Sequence, residues 1–283
     1  ILFSDIGNRI LRYDPGTNMT SVYREPSGRS NGLAFDRLGR LVACEGANRG
    51  GGRRVSITEP NGAIRTLAHG FDGKRFNAPN DLVIDSAGRI WFSDPRYVGD
   101  EPRELTSEAV YRIDADGTVS LVVDHRDGRG VVKPNGLAIA PDESLLYVAD
   151  TPGSEEKRAG ARALLVAFPI ERDGSLGARR VLVDFGDDRG VDGLKVAKDG
   201  SLLITAGSGR TTGVYRLSPD GRRLGWIPTP EDASNCCFAG PESNRLYITA
   251  GRSLYRVDLD HPIRGASFHG NRRPHSDTAT PSQ

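Results

Sequence analysis

Short runs in which apolar and polar residues alternate, punctuated by DG, PG and NG pairs, make up most of this chain. A period of two predicts half-buried antiparallel strands, and the Gly- and Pro-bearing pairs predict the turns between them. The runs fall into a phrase that recurs five times: an Asn or Asp, a short side chain, an apolar strand, a polar turn and a second strand. The copies are NGLAFDRLGRLVACE from Asn31, NDLVIDSAGRIWFSD from Asn80, NGLAIAPDESLLYVAD from Asn135, DGLKVAKDGSLLITA from Asp192 and NCCFAGPESNRLYITA from Asn235. They are spaced by 49, 55, 57 and 43 residues. Self-similarity at that spacing, without helical periodicity, predicts an all-β protein of the β-propeller type, whose blades cannot bury their faces alone.

Lining up the copies fixes a frame. Four antiparallel strands per blade read as GLAFD, RLVACE, RRVSITE and AIRTLAH in the copy that begins at Asn31, and third strands elsewhere share AVYRID at Ala109, GVYRLSPDG at Gly213 and SLYRVDLD at Ser253. The chain opens on ILFSD, one residue different from the IWFSD at Ile90, so Ile1 matches Ile90. The first blade is then truncated, with RILRYD and TSVYRE as its third and fourth strands and no inner strand. Five copies and this partial blade make a six-bladed propeller over residues 1–260, a single domain. The last blade has three recognisable strands, and an open seam exposes an unpaired edge. The expectation is therefore some ~20–40 further residues upstream that complete the ring. Residues 261–283 are polar and lack alternation, and are expected to form a loose tail.

Rotational symmetry gives the residue that opens each copy its interest, because equivalent positions are carried to one axis. Asn31, Asn80, Asn135, Asp192 and Asn235 would converge there. Acids stand at a matching later position in Glu45, Asp94, Asp150 and Asp5, whereas the last two blades have Ala206 and Ala250. Amide and carboxylate oxygens suit Ca²⁺, which takes about six to eight oxygen ligands. None of the five His residues opens a copy, which disfavours a softer metal. Asn-Gly and Asp-Gly are also common turn dipeptides, and for any one residue that reading stands beside the functional one. Position favours the site: each precedes an apolar strand, and Pro79 and Pro134 hold the backbone before Asn80 and Asn135 extended. Asn80, Asn135 and Asp192 are the candidate ligands, and Asn31 and Asn235 are expected to line the pocket.

Composition removes other classes. A net charge of +1 with no Lys/Arg block argues against nucleic acid. No run reaches the roughly 18 apolar residues of a membrane span, and nothing separates a cytoplasmic from a periplasmic address. Cys44, Cys236 and Cys237 are an odd set without CxxC or Cys/His spacing, expected as free thiols packed like small apolar residues. GxSxG, HExxH and GxxxxGK motifs are absent. Arg49, Arg53 and Arg54, around a glycine cluster, are either solvated loop residues or a clamp at the pocket rim.

The phrases FNAPNDLVIDSAGRIWFSDPRY, KPNGLAIAPDESLLYVADT and GVDGLKVAKDGSLLITAG resemble the gluconolactonase/SMP-30/LRE-like family, and NGLAFDRLGRLVACEGANR with TPEDASNCCFAG resembles its bacterial gluconolactonase branch. The resemblance implies a six-bladed propeller with a divalent metal in its tunnel, usually calcium, with Zn²⁺, Mn²⁺ or Mg²⁺ as alternatives. It also implies Asn80 and Asn135 as Asn ligands, and Asp192 as the Asp ligand and general base; the family's Glu ligand matches no residue here. The implied activity is metal-assisted opening of a sugar lactone, with Asn31, Glu45, Asp94 and Asn235 at the substrate. Alternatives are hydrolysis of organophosphates or other lactones on the same metal cradle, or a non-enzymatic calcium-stabilised binding propeller. A strictosidine synthase-like condensing enzyme is disfavoured by the acids, and oligomeric state is open.

Overall fold

In the computed structural model, residues 1–126, 130–259, 263 and 265 are described. Six sheets follow one another along the chain, each a meander of antiparallel neighbours. The first has three strands, β1 (Leu2–Asp5), β2 (Arg9–Asp14) and β3 (Met19–Arg24). Next come β4 (Ser30–Phe35), β5 (Leu41–Glu45), β6 (Arg54–Thr58) and β7 (Ile64–Ala68), then the small hairpin β8 (Gly70–Phe71) and β9 (Lys74–Arg75). The third sheet is β10 (Leu82–Ile84), β11 (Ile90–Asp94), β12 (Ala109–Ile113) and β13 (Val119–Val123). The fourth is β14 (Pro134–Ile139), β15 (Leu145–Asp150), β16 (Ala163–Pro169) and β17 (Arg180–Gly186), with the short helix α1 (Ser154–Arg158) between β15 and β16. The fifth is β18 (Val191–Val196), β19 (Leu202–Ala206), β20 (Gly213–Leu217) and β21 (Arg223–Pro228); the sixth is β22 (Ala233–Ala239), β23 (Arg245–Ala250) and β24 (Ser253–Asp258). This is the all-β, six-bladed β-propeller that the repeat predicts. The tail expected over 261–283 lies, apart from Ile263 and Gly265, outside the described residues.

The core sits between blades rather than within them. Phe76, Phe92 and Tyr111 of the third blade region pack with Val42, Val55 and Ile57 of the second, and Trp91, Val110, Leu146 and Val166 join the third to the fourth. Leu165, Ala167, Leu194 and Ile204 join the fourth to the fifth, and Leu203, Val214, Leu246 and Ile248 the fifth to the sixth. Both faces of the middle strands are thus buried, which is why β5, β11 and β19 read as nearly unbroken apolar runs. Tyr13 and Tyr247 bring the first and last blades together, with ring centroids 6.1 Å apart.

Four of the five inner strands that open a copy carry a recurring irregularity at that point, whereas β10, after Asn80, pairs with β11 without one. In those four the pairing register shifts between Ser30 and Leu33, Pro134 and Leu137, Val191 and Leu194, and Ala233 and Asn235. A bulge at that point breaks the strict alternation of side chains and re-aims one residue. The glycine after the opening residue serves the ring, not a turn. A Cβ on Gly136 would stand 2.3 Å from the Asp192 carbonyl oxygen, one on Gly32 2.7 Å from the Asn80 carbonyl oxygen, and one on Gly193 2.3 Å from the Asn235 carboxamide carbon. At these three positions one blade's entry presses on the next blade's entry, a separation only glycine permits.

Candidate active site around the propeller axis

Antiparallel strands bring the start of each inner strand and the end of its neighbour to the same face. There Asn31, Asn80, Asn135 and Asp192 line one cavity of about 290 Å³ together with Tyr97, Thr151 and Arg189. Four of the five opening residues of the repeat therefore share a site. Tyr97 follows β11, Thr151 follows β15 and Arg189 precedes β18.

Asp192 keeps a third of its side chain exposed to the cavity, and its Oδ2 accepts a hydrogen bond from Arg189 Nη2 at 2.8 Å. Burial pushes its pKa up to about 6, against the pull of Arg189; Asp81 pushes it further up, and a hydrogen bond with Asn135 lowers it. Arg189 Nη1 donates to the Gly207 carbonyl at 3.0 Å, so the guanidinium spans the carboxylate and the end of β19. Asn135, 7% exposed, is also bonded to the Tyr97 hydroxyl. Tyr97 donates that hydroxyl to the Thr151 carbonyl at 2.9 Å. The residue is 40% exposed overall, but desolvation at its hydroxyl end, with Asp192 close by, raises the phenol above its ordinary pKa. Lys133 Nζ stands 5.2 Å from the Tyr97 ring centroid and pairs with Glu156 of α1 at 2.5 Å. From the same helix, Lys157 donates to the carbonyls of Asp187 and Asp188, tying it to the loop that carries Arg189.

The other site residues expected from the sequence lie elsewhere. Glu45 has no exposed surface; its carboxylate takes Arg24 at 2.6 Å, Arg54 at 2.7 Å and Ser56 at 2.6 Å. Gly28 and Gly52 pack against it so closely that a Cβ on either would come within 2.2 Å of its Oε2. Asp94, also without exposed surface, accepts backbone N–H groups from Asn77 at 2.8 Å and Ala78 at 2.7 Å, and burial pushes its pKa up to about 7. Asp150 does the same for Val132 and Lys133. These acids are equivalent by the repeat, but Asp94 and Asp150 turn to the loop entering the inner strand, Glu45 turns to Arg24 and to Arg54 and Ser56 of β6, and none of them lines the cavity. The matching offset predicted their equivalence, not their direction. Asn235 Oδ1 accepts the Cys236 N–H at 2.8 Å, and the side chain lies under Gly193 rather than in the cavity lining. Arg53 is buried, donating to the Phe76 carbonyl at 2.8 Å, and neither it nor Arg49 nor Arg54 lines the cavity. The three cysteines are free, two buried and one half-buried.

Tyr97, Thr151 and Arg189 escaped the sequence reading. A usable signal existed: each stands just past a second strand or just before an inner one, where a propeller gathers its loops.

Residues 1–252 match the family described as the SMP-30/Gluconolactonase/LRE-like region. The chain belongs to this family. Among members of the SMP-30/gluconolactonase group, a gluconolactonase of Zymomonas mobilis is 30% identical, over 91% of this chain and 74% of that protein. A 6-deoxy-6-sulfogluconolactonase of Pseudomonas putida is 28% identical over 93% of this chain and 83% of its own length. Among solved structures, a gluconolactonase from Xanthomonas campestris superposes with a TM-score of 0.78 at 35% identity, covering 92% of this chain and 82% of that one. Among the described residues no helix is long and apolar enough to cross a membrane.

The cavity's donors fit a hard divalent cation. Its lining offers carboxamide, carboxylate, hydroxyl and phenol oxygens, with no sulfur or imidazole.

Proposed function

We propose that this protein is a lactonase that opens a sugar lactone by hydrolysis, with Asp192 as general base and a divalent cation, Ca²⁺ foremost, held by Asn80, Asn135 and Asp192. The observation that carries the reading is the meeting of these three residues in one cavity, in a chain whose relatives bear lactonase names. A bound cation supplies Lewis acidity at the carbonyl oxygen and balances the charge that grows there. The chain's own residues do the rest. Asp192, kept ionised beside a bound cation, takes a proton from water as the water oxygen bonds to the carbonyl carbon. When the ring C–O bond breaks, that proton passes to the departing ring oxygen, and the product is an open-chain hydroxy acid. The Asn31 carboxamide, and the Tyr97 hydroxyl oxygen as an acceptor, offer hydrogen bonds to the ring hydroxyls of a polyhydroxylated substrate. An oxygen-lined cavity of this kind suits such a ring better than an apolar ester.

Acid release from D-glucono-1,5-lactone, followed in a pH-stat against the spontaneous rate, tests the assignment. Asp192→Asn is expected to lower kcat by on the order of 10²-fold or more, and EDTA to abolish turnover until Ca²⁺ is restored. Equal rates with and without EDTA exclude the cation, and full activity in Asp192→Asn excludes the base.

A further inference from the structure

The cavity lining contains a single cationic side chain, Arg189, and it sits on the carboxylate proposed to hold the cation. Its guanidinium is held at two points, with Nη2 2.8 Å from Asp192 Oδ2 and Nη1 3.0 Å from the Gly207 carbonyl oxygen. Gly207 has a φ of +75° immediately after β19, which turns its carbonyl to receive that bond. Arg189 is 27% exposed and Asp192 33%, so the pair is shielded from full solvent screening yet open to the cavity. A divalent cation arriving at Asp192 meets a resident positive charge that occupies one of its oxygens. Both cannot use that oxygen in the same direction, and like charges at such separation repel.

We propose that Arg189 is the built-in counter-charge of Asp192: it holds the carboxylate while no divalent cation is bound, competes with the cation for it, and thereby sets the cation affinity of the site. This rests on the cation reading given above and goes beyond it, because it assigns the tuning of affinity to a residue outside the ligand set. Lys195 provides the comparison. It stands on β18, the strand that carries Asp192, but is not in the cavity lining and faces Asp81, with Nζ 3.9 Å from Asp81 Oδ2.

Calorimetric titration of chelator-treated protein with CaCl₂ tests the proposal on the wild type, Arg189→Met, Arg189→Lys and Lys195→Met, each checked for folding by thermal unfolding. Arg189→Met keeps the stem and removes the charge, and is expected to bind Ca²⁺ roughly five- to tenfold more tightly. Arg189→Lys should fall between, and Lys195→Met should stay within about twofold of the wild type. In EDTA, Arg189→Met should melt below the wild type, with Ca²⁺ closing the gap. Equal or weaker Ca²⁺ binding by a folded Arg189→Met overturns the competition and leaves the cation site standing. An equal gain in Lys195→Met overturns it too, since a through-space field would then be enough. Absence of Ca²⁺ heat in every protein overturns both the competition and the site.

Discussion

Glu45 illustrates how residue type and residue role part company. Its side chain is enclosed by two glycines and by two arginines from different blades, Arg24 on β3 and Arg54 on β6. The pair with Arg24 is buried on both sides, at 7% and 0% side-chain exposure. Removing one member of such a pair strands the other charge without water or partner. Glu45→Gln is therefore expected to lower unfolding stability by about 3–5 kcal/mol while leaving KM for the lactone unchanged. Denaturant unfolding and steady-state kinetics on the same preparation check both halves, and a raised KM at unchanged stability would return Glu45 to the substrate. From the sequence alone Glu45 and Asp192 were both acidic site candidates, Asp192 as the opening residue of its copy and Glu45 at the later matching position. What separates them is surroundings: one is saturated by arginines, the other faces a cavity with a single ion pair.

The inner-strand entry is the element on which the site depends. On β14 and β18 a bulge re-aims the opening residue, and the following glycine lets the next blade approach. Gly136→Ala would drive a methyl group to within 2.3 Å of the Asp192 carbonyl oxygen, so either the entry of β18 or that of β14 has to shift. Overpacking of this kind costs about 1–3 kcal/mol, and here the displaced backbone carries the proposed base. We expect Gly136→Ala to lose both stability and kcat. Gly225→Ala, on β21 with open space around the added carbon and no positive φ, should change stability by less than about 0.5 kcal/mol. Equal effects of the two substitutions would show that the close approach is not a constraint. The Asn-Gly and Asp-Gly pairs that sequence reasoning weighed as turns are here part of extended inner strands. Dipeptide identity cannot express that difference, because the demand for glycine comes from a neighbouring blade more than fifty residues away (Gly136 against Asp192).

At the scale of the whole ring, stability is shared through inter-blade cores, so a local protonation is felt globally. Asp94 is buried between the third blade and the loop before it, and its pKa rises to about 7 from an ordinary value of 3.8. The folded protein then binds this proton more tightly than the unfolded chain. Its contribution is fully present below about pH 4 and is lost as pH rises through about 7. Between about pH 4.5 and 8 the wild type should lose on the order of 2–4 kcal/mol relative to Asp94→Asn. Denaturant unfolding at both pH values reads this directly; groups common to both proteins cancel, and identical slopes would remove Asp94 as the source. The loss of one acceptor in Asp94→Asn lowers stability at every pH, which leaves the slope as the informative quantity.

The number of blades, the strand order within them and the membership of Asn31, Asn80, Asn135 and Asp192 in one set were all legible in the chain. Each follows from periodicity: alternation encodes a half-buried strand, and a repeated phrase encodes a repeated unit whose leading residues symmetry brings together. Direction was not legible. Whether an acid at a strand end faces the cavity depends on the loop N–H groups and arginines that packing brings to it, which have no local signature. For the same reason Tyr97, Thr151 and Arg189 entered only with the tertiary structure, and Glu45, Asp94 and Asn235 left the cavity with it. A repeat encodes which positions are equivalent; packing against non-identical neighbours decides where each side chain points.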